Sequence, residues 1–217
     1  MYNMIIMGPP GAGKGTQSEK ILKHFAVPHI STGDMFREAI ANKTELGLLA
    51  KSFIDKGALV PDEVTISLVK ERLSKDDCKN GYLLDGFPRT IVQAEALKVL
   101  TKEISREVDI VINLACDSSV LISRISGRRV CSKCGNSYHI VTKKPLNEGL
   151  CDACGGELIQ RADDTEEALK VRLVAYENKT KPLLDFYKNE GVLKEVDGLQ
   201  AIDDVFRDIQ NILEGNK

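Results

Sequence analysis

Gly8-Pro9-Pro10-Gly11-Ala12-Gly13-Lys14-Gly15-Thr16 decides how this chain is read. The residues before it, Asn3–Met7, form a short apolar run and read as a strand. The residues after it, from Lys14 to Phe25, place Ile21, Leu22 and Phe25 at helical spacing. A glycine-rich loop between a strand and a helix is the setting a phosphate-binding loop requires. Glycines let backbone N–H groups converge on phosphate oxygens, and the N-terminus of the following helix favours an anion there. Lys14 is placed to reach a phosphoryl group in transfer. One detail departs from the general pattern. Gly15 follows the lysine, and the hydroxyl comes one residue later at Thr16, whereas most ATPases and GTPases place a magnesium-binding Ser or Thr directly after the lysine. Mg²⁺ is therefore expected to be held by phosphates and waters, with Asp85, at the end of another buried strand, anchoring those waters.

Outward from the loop, strands and helices alternate. Residues 28–31 read as a short strand, after which Ser31 or Thr32 can cap a helix. Residues 44–56 form a helix stopped by Gly57, and Pro61 opens another that runs to about residue 74. A buried strand at 82–85, a helix at 90–101, the very apolar stretch 108–115 and a helix at 117–126 follow. Helical periodicity returns at 165–189, then a strand at 192–196 and a helix at 199–213. A central run as apolar as 108–115 suits a parallel strand covered on both faces. The expected fold is α/β, a doubly wound five-stranded parallel sheet with helices on both sides.

The composition sets limits. In 217 residues, 42% are hydrophobic, enough for a packed core. The net charge of −2 disfavours a general nucleic-acid binder. No apolar run approaches the roughly 20 residues that span a bilayer, and the first eight residues read as a strand, not a signal peptide. A cytoplasmic protein with no membrane partner is expected.

Between residues 127 and 164 the pattern changes to glycines, short polar alternations and four cysteines, as in a small inserted β domain. Cys131-Ser-Lys-Cys134 and Cys151-Asp-Ala-Cys154 are separated by about 16 residues, within the range of structural zinc sites. In a reducing compartment such pairs read first as a metal site. Free thiols, two disulfides or a nucleic-acid zinc ribbon are the other readings. Cys78 and Cys116 stand alone and read as small core residues.

Beyond the loop, Ile30-Ser-Thr-Gly-Asp-Met-Phe-Arg37 and Leu84-Asp-Gly-Phe-Pro-Arg-Thr90 resemble signature segments of the adenylate kinases, within the nucleoside monophosphate kinases. The resemblance continues in order through Gly127-Arg-Arg129 and Gln160-Arg-Ala-Asp-Asp164 to Arg172, over nearly the whole chain. The cysteine-bearing segment is similar to the lid of the zinc-containing bacterial members. The resemblance implies reversible phosphoryl transfer from MgATP to AMP, giving two ADP, by a monomer with a structural Zn²⁺. It implies a core of 1–30, 61–126 and 165–217, an AMP-binding insert at 31–60 and a zinc lid at 127–164.

Residue by residue, it implies that Gly11, Ala12, Gly13, Lys14, Gly15 and Thr16 hold the ATP phosphates. Arg124 would cover the ATP adenine, Arg128 would reach its phosphates, and Ser137 and Tyr138 would touch ATP from the lid. Gln200 would meet the adenine through its backbone. Thr32, Arg37, Arg89 and Gln93 would bind AMP, with Gln93 reading the adenine edge. Ala58, Leu59, Val60, Gly86, Phe87 and Pro88 would complete that pocket. Arg161 and Arg172 would clamp phosphates between donor and acceptor.

Elementary chemistry agrees. An AMP phosphate oxygen is already anionic, so no general base is required, and His24, His29 and His139 read as structural or exposed. The reaction needs cations around spreading negative charge and exclusion of water. Arginine forks suit this task, and Arg37, Arg89, Arg128, Arg129, Arg161 and Arg172 all fall at element boundaries. Arg129 is the weakest of these and reads as lid support. The competing readings are a kinase for UMP or CMP, a phosphate-loop switch that hydrolyses nucleotide, and a zinc-dependent binding module with a degenerate nucleotide site.

Overall fold

The computed structural model describes residues 2–215. Met1, Asn216 and Lys217, which the expected core segments include, lie outside the described residues. The central sheet contains β1 (Asn3–Met7), β2 (His29–Ser31), β3 (Tyr82–Asp85), β4 (Ile110–Ala115) and β8 (Leu193–Asp197), in the order β2-β3-β1-β4-β8. Every pairing is parallel. Side chains alternate across a strand, and β1 shows what this does in a sheet covered on both faces. Ile5 and Met7 join Val111, Leu84 and Leu97 in one core layer, while Met4 and Ile6 join Ile112, Leu114 and Ile209 in the other. This is why 4–7 and 110–112 are apolar without alternation.

The helices of one layer include α1 (Lys14–Phe25) and α9 (Ile202–Gly215), which contribute Ile21, Val205, Ile209 and Leu213 to the second core. The other layer is built on α4 (Asp62–Leu73), α5 (Ile91–Glu103) and α8 (Leu183–Asn189). Between β2 and α4 lie α2 (Thr32–Ala41) and α3 (Glu45–Ile54), with a small core of their own around Phe36, Ala50 and Val60. The Ser31 hydroxyl caps α2 by accepting from Asp34 N, and Thr44 caps α3 in the same way from Gly47 N. At Gly47 the two helices approach so closely that a β-carbon would overlap the Ala39 carbonyl.

Residues 127–164 follow α6 (Ser118–Ser126) and form a separate antiparallel sheet. Its strands are β5 (Arg128–Cys131), β6 (Ser137–His139) and β7 (Leu158–Ile159), in the order β6-β5-β7. Two expected elements differ in detail. Pro61 occupies the cap position of α4, one residue before the helix proper. The periodic stretch 165–189 is not one helix. It divides into α7 (Glu166–Ala175), a π turn over Tyr176–Thr180, and α8 after Pro182. Pro182 has no N–H to continue the ladder, and in the widened turn the Thr180 hydroxyl donates to the Arg89 carbonyl at 2.9 Å. Local helix periodicity persists on both sides of that turn, so it hides the break.

Candidate active site

The loop after β1 emerges at the C-terminal edge of the sheet, where doubly wound folds bind ligands. Gly13 caps α1 with φ of 98°, a left-handed conformation that glycine adopts without strain, and no side chain caps the helix. The N–H groups of the first turn therefore face the loop interior, an arrangement suited to phosphate. Lys14 curls back over the loop, its ammonium donating to the carbonyls of Gly8 at 2.8 Å and Pro9 at 3.0 Å.

Around this lysine the structure gathers most of the arginines singled out from the sequence. Burial pushes the Lys14 pKa down from 10.5 to about 8; Asp85 opposes the shift, and Arg89, Arg172 and Arg128 reinforce it. Burial also lowers Arg89 to about 10, with Arg172 and Arg37 adding to the effect and Asp85 and Asp163 resisting it. Arg161 is lowered to about 10 by burial and then by Arg37 and Arg128. Arg172 is shifted down too, first by burial. A half-buried cluster of like charges is unfavourable on its own and becomes favourable with a polyanion among them. Arg129 stands apart, its guanidinium donating to the Ser126 and Arg128 carbonyls.

Three carboxylates hold these arginines. Arg128 makes a two-bonded pair with buried Asp164, with Nε 2.9 Å from Oδ2. Arg172 lies 3.0 Å from Asp163 and 3.4 Å from Asp164. Asp34 accepts from Arg37 at 2.5 Å and lies 3.9 Å from Arg161, so it links α2 to the segment before α7. The burial of Asp163 would raise its pKa, but Arg172, Arg128, Arg37 and Arg161 outweigh it and hold it low. The Arg161 Nε is buried and has no hydrogen-bond partner.

Next to the loop, Gly86 organises a second pocket. Its carbonyl accepts from the Thr32 hydroxyl at 2.9 Å and from Arg89 Nε at 2.7 Å. Gln93 is 2% exposed and bonds to Arg89 N and to Asp62. Phe87, Pro88 and Val60 are buried beside them, and Ala58 is fixed through its N–H to the Phe53 carbonyl at 3.0 Å. His29 Nε2 faces Asp85 at 3.5 Å from the neighbouring strand. His24 pairs with Glu214, and the His139 ring accepts from Val141 N and Thr142 N, so both do structural work away from the loop.

On the opposite side, Arg124 donates to the Gly198 carbonyl at 2.8 Å and approaches the Cys116 sulfur. The Gln200 side chain is turned to Asp208 at 2.8 Å, leaving its backbone as the group available to a ligand. The small sheet rests on α1: Ser137 N donates to Glu19 at 3.3 Å and the Lys143 ammonium reaches the same carboxylate at 2.7 Å. Tyr138 does not face the loop. Its ring is 6% exposed in the core of the small sheet, and its hydroxyl accepts from Asp152 N at 2.8 Å and lies 3.5 Å from the Cys151 sulfur.

The four paired cysteines converge, their sulfur atoms all within 4.8 Å of one another. A tetrahedral zinc shell with Zn–S near 2.3 Å needs sulfurs about 3.8 Å apart, so this donor set fits zinc. The N–H groups of Lys133 and Cys134 point at the Cys131 sulfur, as they do in a thiolate knuckle. Cys78 is fully buried in the core, and Cys116 is half-buried between Ala12 and Gly198.

Sequence reasoning did not single out Asp62 and Glu19, and quoted Asp34, Asp163 and Asp164 only as parts of motifs. A single acid on a helix carries no mark of the distant arginine or lysine it will meet.

A glycine-capped loop suited to an anion, facing a ring of half-buried cations, with a second pocket on the same sheet edge, defines a phosphate-loop phosphotransferase. The chain matches the family model described as adenylate kinase over residues 6–192, and it belongs to the adenylate kinase family. It is similar to the adenylate kinase of Bacillus subtilis (strain 168), 56% identical over 215 residues that cover 99% of each chain. The adenylate kinase of Bacillus pumilus (strain SAFR-032) is 55% identical over 213 residues, 98% of each chain. That of Geobacillus sp. (strain WCH70) is 55% identical over 213 residues, covering 98% of this chain and 99% of the relative.

Proposed function

We propose that this protein transfers the γ-phosphoryl group of MgATP to the phosphate of AMP, reversibly, giving two ADP. The observation that carries this reading is the convergence of Lys14, Arg89, Arg128, Arg161 and Arg172 between the glycine loop and the Thr32–Gly86 pocket. An AMP phosphate oxygen attacks the γ-phosphorus, the bond to the β,γ-bridging oxygen breaks, and ADP carries away the electron pair. No proton has to be removed from the nucleophile. The chain's task is to align two polyanions and to stabilise charge spreading over the oxygens in flight.

In this assignment the N–H groups of Gly11, Ala12, Gly13, Gly15 and Thr16 hold the ATP phosphates. Lys14 leaves the Gly8 and Pro9 carbonyls to meet the transferred group. Arg124 and the Gln200 backbone flank the ATP adenine, and Arg128 and the Ser137 backbone close from the lid. Thr32, Arg37, Arg89 and Gln93 hold AMP in the pocket formed by Ala58, Leu59, Val60, Gly86, Phe87 and Pro88. Arg161 and Arg172 bridge donor and acceptor. Tyr138 supports the lid from within. Asp85 would hold the water shell of the magnesium that accompanies ATP, an ion that would supply charge neutralisation at the phosphates. Cys131, Cys134, Cys151 and Cys154 would hold zinc as a structural ion, with no open position for chemistry.

Residues 31–60 and 127–164 act as two covers on the core of 1–30, 61–126 and 165–217. Their closure excludes the water that would otherwise accept the phosphoryl group. We place the protein in the cytoplasm as a monomer. That reading rests on the resemblance to the adenylate kinases; among the described residues no helix is long and apolar enough to cross a membrane. The deciding experiment is a coupled assay for ADP with AMP, UMP and CMP as acceptors. ADP formation that requires AMP supports the reading. ADP release without any acceptor would replace it with a nucleotide-hydrolysing switch, and faster turnover with UMP or CMP would move the acceptor class.

A further inference from the structure

Gln93 stands in the first turn of α5, where its own N–H is pinned by the Thr90 hydroxyl at 3.2 Å. Its side-chain oxygen accepts from Arg89 N at 2.7 Å, and its side-chain nitrogen donates to Asp62 Oδ1 at 2.8 Å. A backbone N–H can only donate, and a carboxylate can only accept. The two bonds together leave the amide one orientation.

A primary amide has two acceptor positions and two N–H donors. One of each is used inside the protein, which leaves one acceptor position on the oxygen and one donor on the nitrogen for a ligand. The edge of a 6-aminopurine presents an exocyclic N–H donor beside a ring-nitrogen acceptor, the complement of that pair. The edge of a 6-oxopurine presents a ring N–H beside a carbonyl oxygen. Against an amide that cannot turn over, donor then meets donor and acceptor meets acceptor.

We infer that Asp62 is a specificity-determining residue: its carboxylate fixes the orientation of the Gln93 amide, so that the acceptor site takes a 6-amino base and refuses a 6-oxo base. This rests on the reading of Gln93 as the side chain that faces the acceptor base. Asp62 acts through Gln93 and positions it from a different element, the first turn of α4. The competing account is that Gln93 only closes the start of α5, in the manner of a capping box. Its orientation would then affect stability and leave base choice alone.

The test compares kcat/KM for AMP and for IMP, which exchanges the amino edge for the oxo edge on the same purine frame. It uses the native protein, Asp62→Ala, Asp62→Asn and Gln93→Leu, with KM for ATP and thermal melting measured on each. The native protein should prefer AMP by about a hundredfold, the effect of two reversed hydrogen bonds. Asp62→Ala should lower that ratio about fivefold or more with KM for ATP unchanged. Asp62→Asn, whose side-chain oxygen still accepts, should restore the ratio to within about twofold. An unchanged ratio in Asp62→Ala, with the ratio lost in Gln93→Leu, would keep Gln93 as base reader and remove Asp62 from the account. An unchanged ratio in Gln93→Leu would overturn both. Equal losses toward AMP and IMP in Asp62→Ala, with a lower melting temperature, would mark Asp62 as structural and overturn the inference.

Discussion

The ammonium of Lys14 donates to the carbonyl of Gly8, six residues back at the other end of the loop, at 2.8 Å. The lysine is stored on the loop it serves, at a cost in burial. Its pKa is near 8 in the folded chain against 10.5 for the ordinary side chain. Between these values the folded state binds fewer protons than the unfolded one, so this group makes stability rise with pH from about 8 to about 10.5. Lys14→Met should therefore stabilise the ligand-free protein at pH 7, on the order of 1–2 kcal/mol, with the gain fading as pH rises through that window. The same variant should lose at least about a hundredfold in kcat, because the missing charge acts on the group in flight. Denaturant melts at pH 7 and pH 10, together with steady-state rates, check both statements.

Gln93→Leu should raise KM for AMP by about five- to a hundredfold and leave KM for ATP within about twofold, since unpaired polar groups cost about 1–3 kcal/mol and the side chain bonds to Arg89 N and Asp62, not to the glycine loop. Steady-state kinetics with each nucleotide varied in turn reads the difference. Equal changes for both nucleotides would mean that Gln93 does not touch the acceptor.

The cysteine segment spans 38 residues by the expected boundaries, about the size below which a module needs a staple. Cys154→Ser, or chelation in reducing buffer, should lower zinc content and melting temperature together, because metal capture by the folded form is itself folding free energy. Turnover well below the melting point should fall only a few-fold, as expected of a closed four-sulfur shell. A demetallated protein that melts unchanged and yet is inactive would point to a catalytic metal.

Glu19 receives both Ser137 N and Lys143 from the small sheet, and the Lys143 ammonium lies 5.5 Å over the Tyr138 ring. A partly exposed pair of this kind contributes about 0.2–1 kcal/mol and is screened by salt. Lys143→Ala should raise KM for ATP up to about fivefold at low salt, and the difference from the native protein should shrink in 0.5 M salt, where the screening length is roughly a third of that at 0.05 M. KM for AMP should not follow. A salt-independent effect would assign Lys143 a role other than charge pairing.

The sequence made local features readable and left long-range pairings hidden. The spacing of Ile21, Leu22 and Phe25 marked a helix that the structure bounds at Lys14 and Phe25. The very apolar stretch at 108–115 and the two cysteine pairs were equally plain, because each depends on neighbours in the chain. The Arg128–Asp164 pair joins residues 36 apart, and the contact from Ser137 to Glu19 joins residues 118 apart. Such contacts depend on how elements approach, which no window of sequence reports. The resemblance implies a contact of Tyr138 with ATP from the lid, and its buried ring is not the part that offers one. Its ring instead fills the space beside Cys131 and Cys151, since a sheet this small has little else with which to build an interior.

The Arg128–Asp164 pair stands where the chain leaves the main body and where it returns, one residue after Gly127 and one before Thr165. A clasp at the neck holds the two ends of the segment together whatever lies between them. Loop-closure entropy grows only slowly with length once the ends are joined, so the stretch between these two residues behaves as an exchangeable cassette. Its interior can be rebuilt, lengthened or given another kind of staple, while the neck keeps Arg128 in the same place beneath it.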